Sequence, residues 1–274
     1  VEKNSDDMVY IAGGEFRMGS TESEIDQAVA MARRFVGRIK PVQHEWFEDE
    51  TCHMVKVPPF FMDRNEVTIR EARAFFTATG RRLPHDWAEL PPEADDLPAG
   101  GMTWAEADAF ATWAGKRLPT DEEWEYAARG PGRRLFPWGN EPPDGNRANY
   151  ADSRLTVPWN DPAHDDGFAD TAPVGSFPDG ATPDGLLDMA GNVREWTATL
   201  MMGVFDPATH TIWPATRRNI IPNSRQLPAI RMRVVKGGSY DGAADDLRAS
   251  DMRMLPEDTR HSSVGFRCAK SVGQ

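Results

Sequence analysis

The chain has 274 residues and carries 31 lysines and arginines against 43 aspartates and glutamates, a formal net charge of −12. An acidic balance of this size lacks the basic face that a nucleic-acid backbone requires, and no apolar run approaches the roughly 20 residues of a membrane span. At 39% hydrophobic residues the chain can bury a core, and its length allows one large domain or two small ones. The 23 glycines, 22 prolines and nine tryptophans predict a loop-rich fold held by large aromatic anchors.

In chain order, residues 8–19 alternate apolar and polar around Gly13-Gly14, which predicts a hairpin. Thr21-Glu22-Ser23-Glu24 fits a capping box, and Ile25, Val29, Ala32 and Val36 recur at helical spacing to about Ile39. Residues 55–62 read as a proline-marked strand. Helices are predicted at 69–79, opened by Thr68 and stopped at Gly80, at 103–115, and at 120–129 under Thr120 and Glu123. Residues 83–101 read as a surface loop, and residues 231–239 and 264–269 as closing strands. From 130 to 192 the chain is Pro, Gly, Asn and Asp with isolated aromatics, a texture that something other than ladders must order. With no internal repeat and no linker tract, residues 1–274 read as a single domain.

Only two cysteines are present, Cys52 and Cys268. One long-span disulfide, worth roughly 4–5 kcal/mol in an exported protein, and two buried thiols are both open readings. The polar start at residues 1–7 has no apolar stretch of a leader and reads as a mature or trimmed chain.

The irregular region holds two clusters of hard oxygens: Asn149 with residues 165–168, and Asp188, Gly191, Asn192 and Glu195. Calcium takes six to eight such ligands on flexible loops; acid-rich solvated turns are the competing reading. His44, Cys52 and His53, with Glu45, Glu48, Asp49 and Glu50 nearby, offer mixed ligand types for a transition metal, although their spacing fits no tight pattern.

The runs Trp113-Ala114-Gly115-Lys116-Arg117-Leu118-Pro119-Thr120 and Glu123-Trp124-Glu125-Tyr126-Ala127-Ala128-Arg129-Gly130 closely resemble the formylglycine-generating enzyme, or sulfatase-modifying-factor, family. So do Phe136-Pro137-Trp138-Gly139-Asn140, Gly191-Asn192-Val193-Arg194-Glu195-Trp196, Lys236-Gly237-Gly238-Ser239-Tyr240 and Gly265-Phe266-Arg267-Cys268-Ala269. These motifs are collinear from residue 8 to 269, with a family-atypical helical and acidic insert at about 21–53. The resemblance implies an α+β single domain with a C-type-lectin-like fold, low in regular structure. It also implies two structural calcium ions. One would take the Asn149 and Asp166 side chains with the Tyr150 and Phe168 carbonyls. The other would take the Asp188 and Glu195 side chains with the Gly191 and Val193 carbonyls, Asp188 replacing the family's usual amide.

Family members that oxidise a substrate cysteine hold Cu(I) on two cysteines shortly after the Gly-Gly-Ser motif. Those positions fall on Gly242 and Leu247, so no copper is expected, because a soft ion needs thiolates. The chain then resembles the pyoverdine-maturation kind of member, which implies an exported, periplasmic or secreted protein that oxidatively tailors a small molecule or peptide. A cytoplasmic location is the alternative. The competing function is a non-catalytic binding module that displays residues 241–264. In the family groove after Gly-Gly-Ser, Glu257 and His261 are the acid/base types, with Ser239 as a third candidate. Tyr240, Asp241, Arg248, Arg253 and Arg260 are candidate substrate contacts, against a bland reading as a salt-bridged loop. Arg217, Arg218 and Arg225 offer a further positive face.

Overall fold

Four threonines start four helices by one local device. In a computed structural model, which describes residues 7–87, 90–206, 211–214 and 229–273, each of Thr21, Thr68, Thr103 and Thr120 is extended. Each accepts a hydrogen bond from the backbone N–H of the glutamate three residues on. That glutamate's carboxylate accepts from the threonine N–H in return. The helices are α1 (Glu22–Phe35), α2 (Ile69–Thr79), α3 (Trp104–Trp113) and α4 (Asp121–Arg129). Gly80, at φ 64°, ends α2 in the left-handed region as expected. The first helix stops four residues short of Ile39 and tightens into a 3-10 turn, Val36–Arg38.

The hairpin expected at 8–19 does not form. Strands β1 (Met8–Ile11) and β2 (Gly14–Met18) pair instead with β4 (Phe60–Asp63) and β3 (His53–Val57), in two different sheets. The cause lies at one crossing. Gly13 passes so close to the opposing chain that a Cβ there would sit 2.4 Å from the Val57 carbonyl oxygen. Across from it, Pro58 and Pro59 have no N–H to continue a ladder, so the expected strand 55–62 is cut in two. Both chains therefore step together from one sheet to the next.

The largest sheet runs β6-β5-β7-β8, from β5 (Arg194–Asp206), β6 (Thr211–Pro214), β7 (Ala229–Lys236) and β8 (Met252–Pro256). Strand β9 (Val264–Gly265) lies parallel to the start of β5, and β10 (Ala269–Ser271) takes the free side of β4, so the closing strand expected at 264–269 is also divided. Phe75, Phe76, Phe110, Trp87, Trp196 and Phe266 join α2 and α3 to this sheet in one core. Trp124 on α4 centres a second core with Phe16, Phe60, Met62 and Met189.

Residues 130–192 contain one short 3-10 turn, Pro178–Gly180. Their order comes from Asn and Asp side chains that accept backbone N–H groups: Asn140 from Leu135, Asp152 from Arg154 and Asp166, Asp161 from Ala163, and Asn192 from Ala172. Arg217, Arg218 and Arg225 fall outside the described residues.

Candidate functional site

The signature motifs meet in a buried ionic frame. Arg267 binds Glu195 through Nε at 2.8 and 2.9 Å and through Nη2 at 2.7 Å, while Trp124 Nε1 donates to the same carboxylate at 2.8 Å. Lys236 reaches Glu125 at 3.0 Å, and Arg129 reaches the other oxygen of Glu125 at 3.1 Å. All of these charges are buried, so the motif residues form the fold's internal skeleton.

Two sets of oxygens flank this frame where calcium is expected. In the first, Asp166 accepts from the Tyr150 and Phe168 N–H groups at 3.2 and 2.8 Å. Burial, with Asp152 and Asp165 nearby, pushes its carboxyl up to about 6. Asn149 donates through Nδ2 to the Asp170 carbonyl, which leaves its Oδ1 as the accepting end of the amide. In the second, Asp188 Oδ2 accepts from Gly175 N–H at 2.6 Å, while Oδ1 is buried with no partner. Burial pushes Asp188 up to about 6, and burial with the charges of Asp188 and Glu195 drives the neighbouring Glu66 carboxyl well above its ordinary range. Gly191 must be glycine: at φ 81°, its Cβ would meet the Asn149 carbonyl oxygen at 2.1 Å. The residues present therefore fit hard cations. They do not fit copper in the groove, where Gly242 has no side chain and Leu247 is fully buried beside Phe136.

A cleft of about 740 Å³ opens beside the chain that follows Gly-Gly-Ser. The insert supplies Val36, Ile39, Lys40, Trp46 and Phe47, and the chain after Gly-Gly-Ser supplies Ser239, Asp241, Asp245, Asp246, Asp251 and Arg253. Insert and frame are riveted by Glu50, which accepts both terminal nitrogens of Arg248 at 2.7 Å and the Ser20 hydroxyl at 2.5 Å.

The candidate residues separate on this geometry. Ser239, Asp241, Arg253 and His261 line the cleft. Ser239 Oγ donates to Asp241 at 2.6 Å, and His261 Nδ1 lies 2.6 Å from Ser263 Oγ. Glu257 is not among the lining residues. It pairs with Arg231 and Arg233, which hold its carboxyl below the ordinary range, so it and His261 do not form an acid/base pair. Arg248 is fully buried on Glu50, and the half-exposed Arg260 pairs with Glu106; neither lines the cleft. Tyr240 meets Ser262 at 3.2 Å. Cys52 and Cys268 are not bridged: Cys268 is buried in the core, and Cys52 Sγ accepts from Arg133 at 3.7 Å. Nor is the transition-metal expectation met. His44 and Cys52 share a depression of about 580 Å³, but His53 turns to the Thr51 carbonyl. Among the described residues no three His, Cys, Asp or Glu side chains are placed to hold a metal.

Asp245 stands out from the acidic loop only in three dimensions. It is 5% exposed, its Oδ1 has no partner, and burial with the charges of Asp246 and Asp251 pushes its carboxyl up to about 7, against the pull of Arg248. A folded value raised above the ordinary 3.8 means stability fully present below that ordinary value and lost as pH rises through about 7. The loss amounts to about 4 kcal/mol at full ionisation. Replacing Asp245 with asparagine removes this titration. Asp246, Arg248 and Asp251 on its own stretch, Arg194 on β5 and Arg253 on β8 stay in place around it. The variant is expected to melt higher than wild type at pH 8, by a smaller margin at pH 5, and level with it only near pH 3.5. A constant gap across that range would refute the assignment.

Comparison with known proteins places this architecture. The family model of the sulfatase-modifying factor enzyme 1-like domain matches residues 1–272. The inactive C-alpha-formylglycine-generating enzyme 2 of Mus musculus is 30% identical over 302 positions, spanning 97% of this chain and 86% of its own. The formylglycine-generating enzyme of Thermomonospora curvata is 32% identical, spanning 96% and 92%. The solved structure of PvdO from Pseudomonas aeruginosa shares the fold at a TM-score of 0.64 and 24% identity, over 97% of this chain and 94% of that one. The mixed helix-and-sheet, formylglycine-generating-enzyme-like architecture is thus shared across the chain's length. The chain belongs to the sulfatase-modifying factor enzyme 1-like family.

Proposed function

We propose that the chain is a maturation protein that binds a small molecule or peptide in the cleft and tailors it oxidatively, with calcium as a structural ion at the two oxygen sets and no copper. The observation that carries this reading is the cleft at the family's groove position. Its lining includes Asp245, a buried acid whose Oδ1 has no partner and whose carboxyl sits near neutrality, where it can hold or release a proton. Calcium would neutralise Asp166 and Asp188 and tie residues 149–195 to the frame; it has no part in the reaction. The proposal places the protein in the periplasm or outside the cell. No helix among the described residues is long and apolar enough to cross a membrane.

A second reading is a non-catalytic binding module using residues 241–264. The name of the mouse relative, which calls that protein inactive, favours it, as does the engagement of Glu257 and Arg260 in ion pairs. Aerobic incubation with a panel of oxidisable aromatic small molecules and peptides separates the two. Tailoring predicts oxygen uptake and a product lighter by two hydrogens, with at least a tenfold loss in Asp245→Asn. Saturable binding with no oxygen uptake for any member supports the binding module and ends the oxidative reading.

A further inference from the structure

The insert is a loop closed at its root. Ser20 N–H donates to the Glu50 carbonyl at 2.8 Å, and a Cβ on Gly19 would sit 2.4 Å from the Thr51 carbonyl oxygen. Both ends of residues 21–50 therefore leave the frame at one point. Ile25, Ala28, Val29, Ala32, Val42 and Phe47 give the insert a core of its own. Its charged ties to the frame come from Glu50 on Arg248 and from Glu24 on Arg129 and Arg133, all near the root. The far side is lightly held. Between Val36 and His44, among the described residues, one hydrogen bond reaches the frame, from Arg38 Nη1 to the Asn160 carbonyl at 3.2 Å.

Asp245 lies under this insert. It stands on a 3-10 turn, Ala244–Leu247, against which α1 packs, with Phe35 in the same apolar cluster as Ala244 and Leu247. The residue is buried, and its Oδ1 has no partner. The cations around it are taken. Arg194 from β5 serves Asp246 at 2.7 Å and Asp251 at 3.2 Å, and Arg253 from β8 serves Asp246 at 2.8 Å. Arg248 gives its terminal nitrogens to Glu50 and its Nε to the Asp245 backbone carbonyl. Of the other charged or titratable groups on the cleft, Lys40 rests 4.5 Å from the Trp46 ring, Asp241 accepts from Ser239, His261 meets Ser263, and Asp49 adds a further acid from the insert. Protonated, Asp245 is tolerated beneath α1; ionised, it needs water at an oxygen that the seated insert keeps dry.

We propose that the insert is a pH-gated cap on the cleft: it seats on the turn while Asp245 keeps its proton, and its far side lifts when that carboxyl ionises. Burial raises the Asp245 carboxyl, so the seated form is favoured at low pH and loses that preference as pH rises through about 7. The insert gives up the seat of Phe35 beside Ala244 and Leu247 but keeps its own core and its root, so this opening precedes unfolding of the frame. Lifting moves Val36, Ile39 and Lys40, one wall of the cleft. The consequence for ligand entry rests on the cleft being the binding site, as proposed above; the movement itself does not.

The test measures a distance across the cleft in the full chain. Spin labels are attached at Gln43→Cys on the insert and at Asp258→Cys, next to the lining residue Thr259, both exposed positions, with Cys52→Ser as the background. Double electron–electron resonance should give one short distance at pH 5. At pH 8 a second, longer distance should appear, its ratio to the first raised by up to roughly a hundredfold, with the circular dichroism of the folded chain unchanged. Asp245→Asn, shown folded by its thermal melt, should keep the short distance at both pH values. The proposal falls if the labelled chain with Asp245 intact shows the same distance at both, or if the longer distance appears equally in Asp245→Asn. No ligand is present, so a failure here leaves the oxidation assay untouched, and a failure there leaves the cap standing.

Discussion

Arg267→Met is expected to lower the melting temperature by roughly 10–15 °C, the largest effect of any single substitution considered. The guanidinium is fully buried and spends its donors on Glu195 and on the backbone carbonyls of Asp63, Arg64 and Leu187. Methionine fills much of the volume but takes the guanidinium away from Glu195, Asp188 and Glu66, three buried acids. Breaking a buried pair from one side costs about 3–5 kcal/mol because the remaining charge is stranded. Arg267→Lys should recover little, since an ammonium cannot reproduce the fork that spans a carboxylate and three carbonyls. Adding Glu195→Gln to Arg267→Met should restore part of the loss. Calorimetric melts of the four proteins check this, and an unchanged melt for Arg267→Met would show that the frame is not what holds the fold.

The same frame shows what was legible in the residue order. Each helix was, because a threonine and a glutamate three positions apart make a local device that needs nothing from the rest of the chain. The collinear motifs were also legible, and with them the family. Strand β5 was not: Arg194–Asp206 mixes threonines with apolar residues, and its register against β7 shifts between Trp196 and Leu200, so no single alternation runs along it. The hairpin expected around Gly13-Gly14 failed because the partner strands lie some forty and fifty residues on, on either side of a pair of prolines that the turn rule does not weigh. In the site, Asp245 looked like its neighbours Asp246 and Asp251. Only the placement of Arg194, Arg248 and Arg253 separates an answered acid from an unanswered one.

Calcium should raise the melting temperature of chelator-treated protein by roughly 5–10 °C. An ion bound only to the native state at a hundredfold excess over its dissociation constant contributes about 2.7 kcal/mol. Asp166 and Asp188 supply the reason to expect binding: both are buried carboxyls raised to about 6, and Asp188 Oδ1 has no partner within the protein. Asp166→Ala and Asp188→Ala should each remove part of the calcium response, whereas Asp188→Asn should retain it, because the amide still offers an oxygen. Calorimetry in chelator and in added calcium decides the matter. If the two curves coincide for the wild-type chain, the side-chain network of residues 130–192 suffices on its own and the calcium assignment is withdrawn.

The pairing around β4 bears on how the chain is made. Met62 lies between Val9 on one side and Ala269 on the other. A ribosome emits the second neighbour about 260 residues after the first. Until then Phe60 and Met62 have half a sheet, and Glu195 waits for Arg267, which arrives in the same late stretch. The emerging chain must therefore hold its four locally coded helices without a finished interior, and its apolar edge stays open to other partners until residues 264–271 arrive.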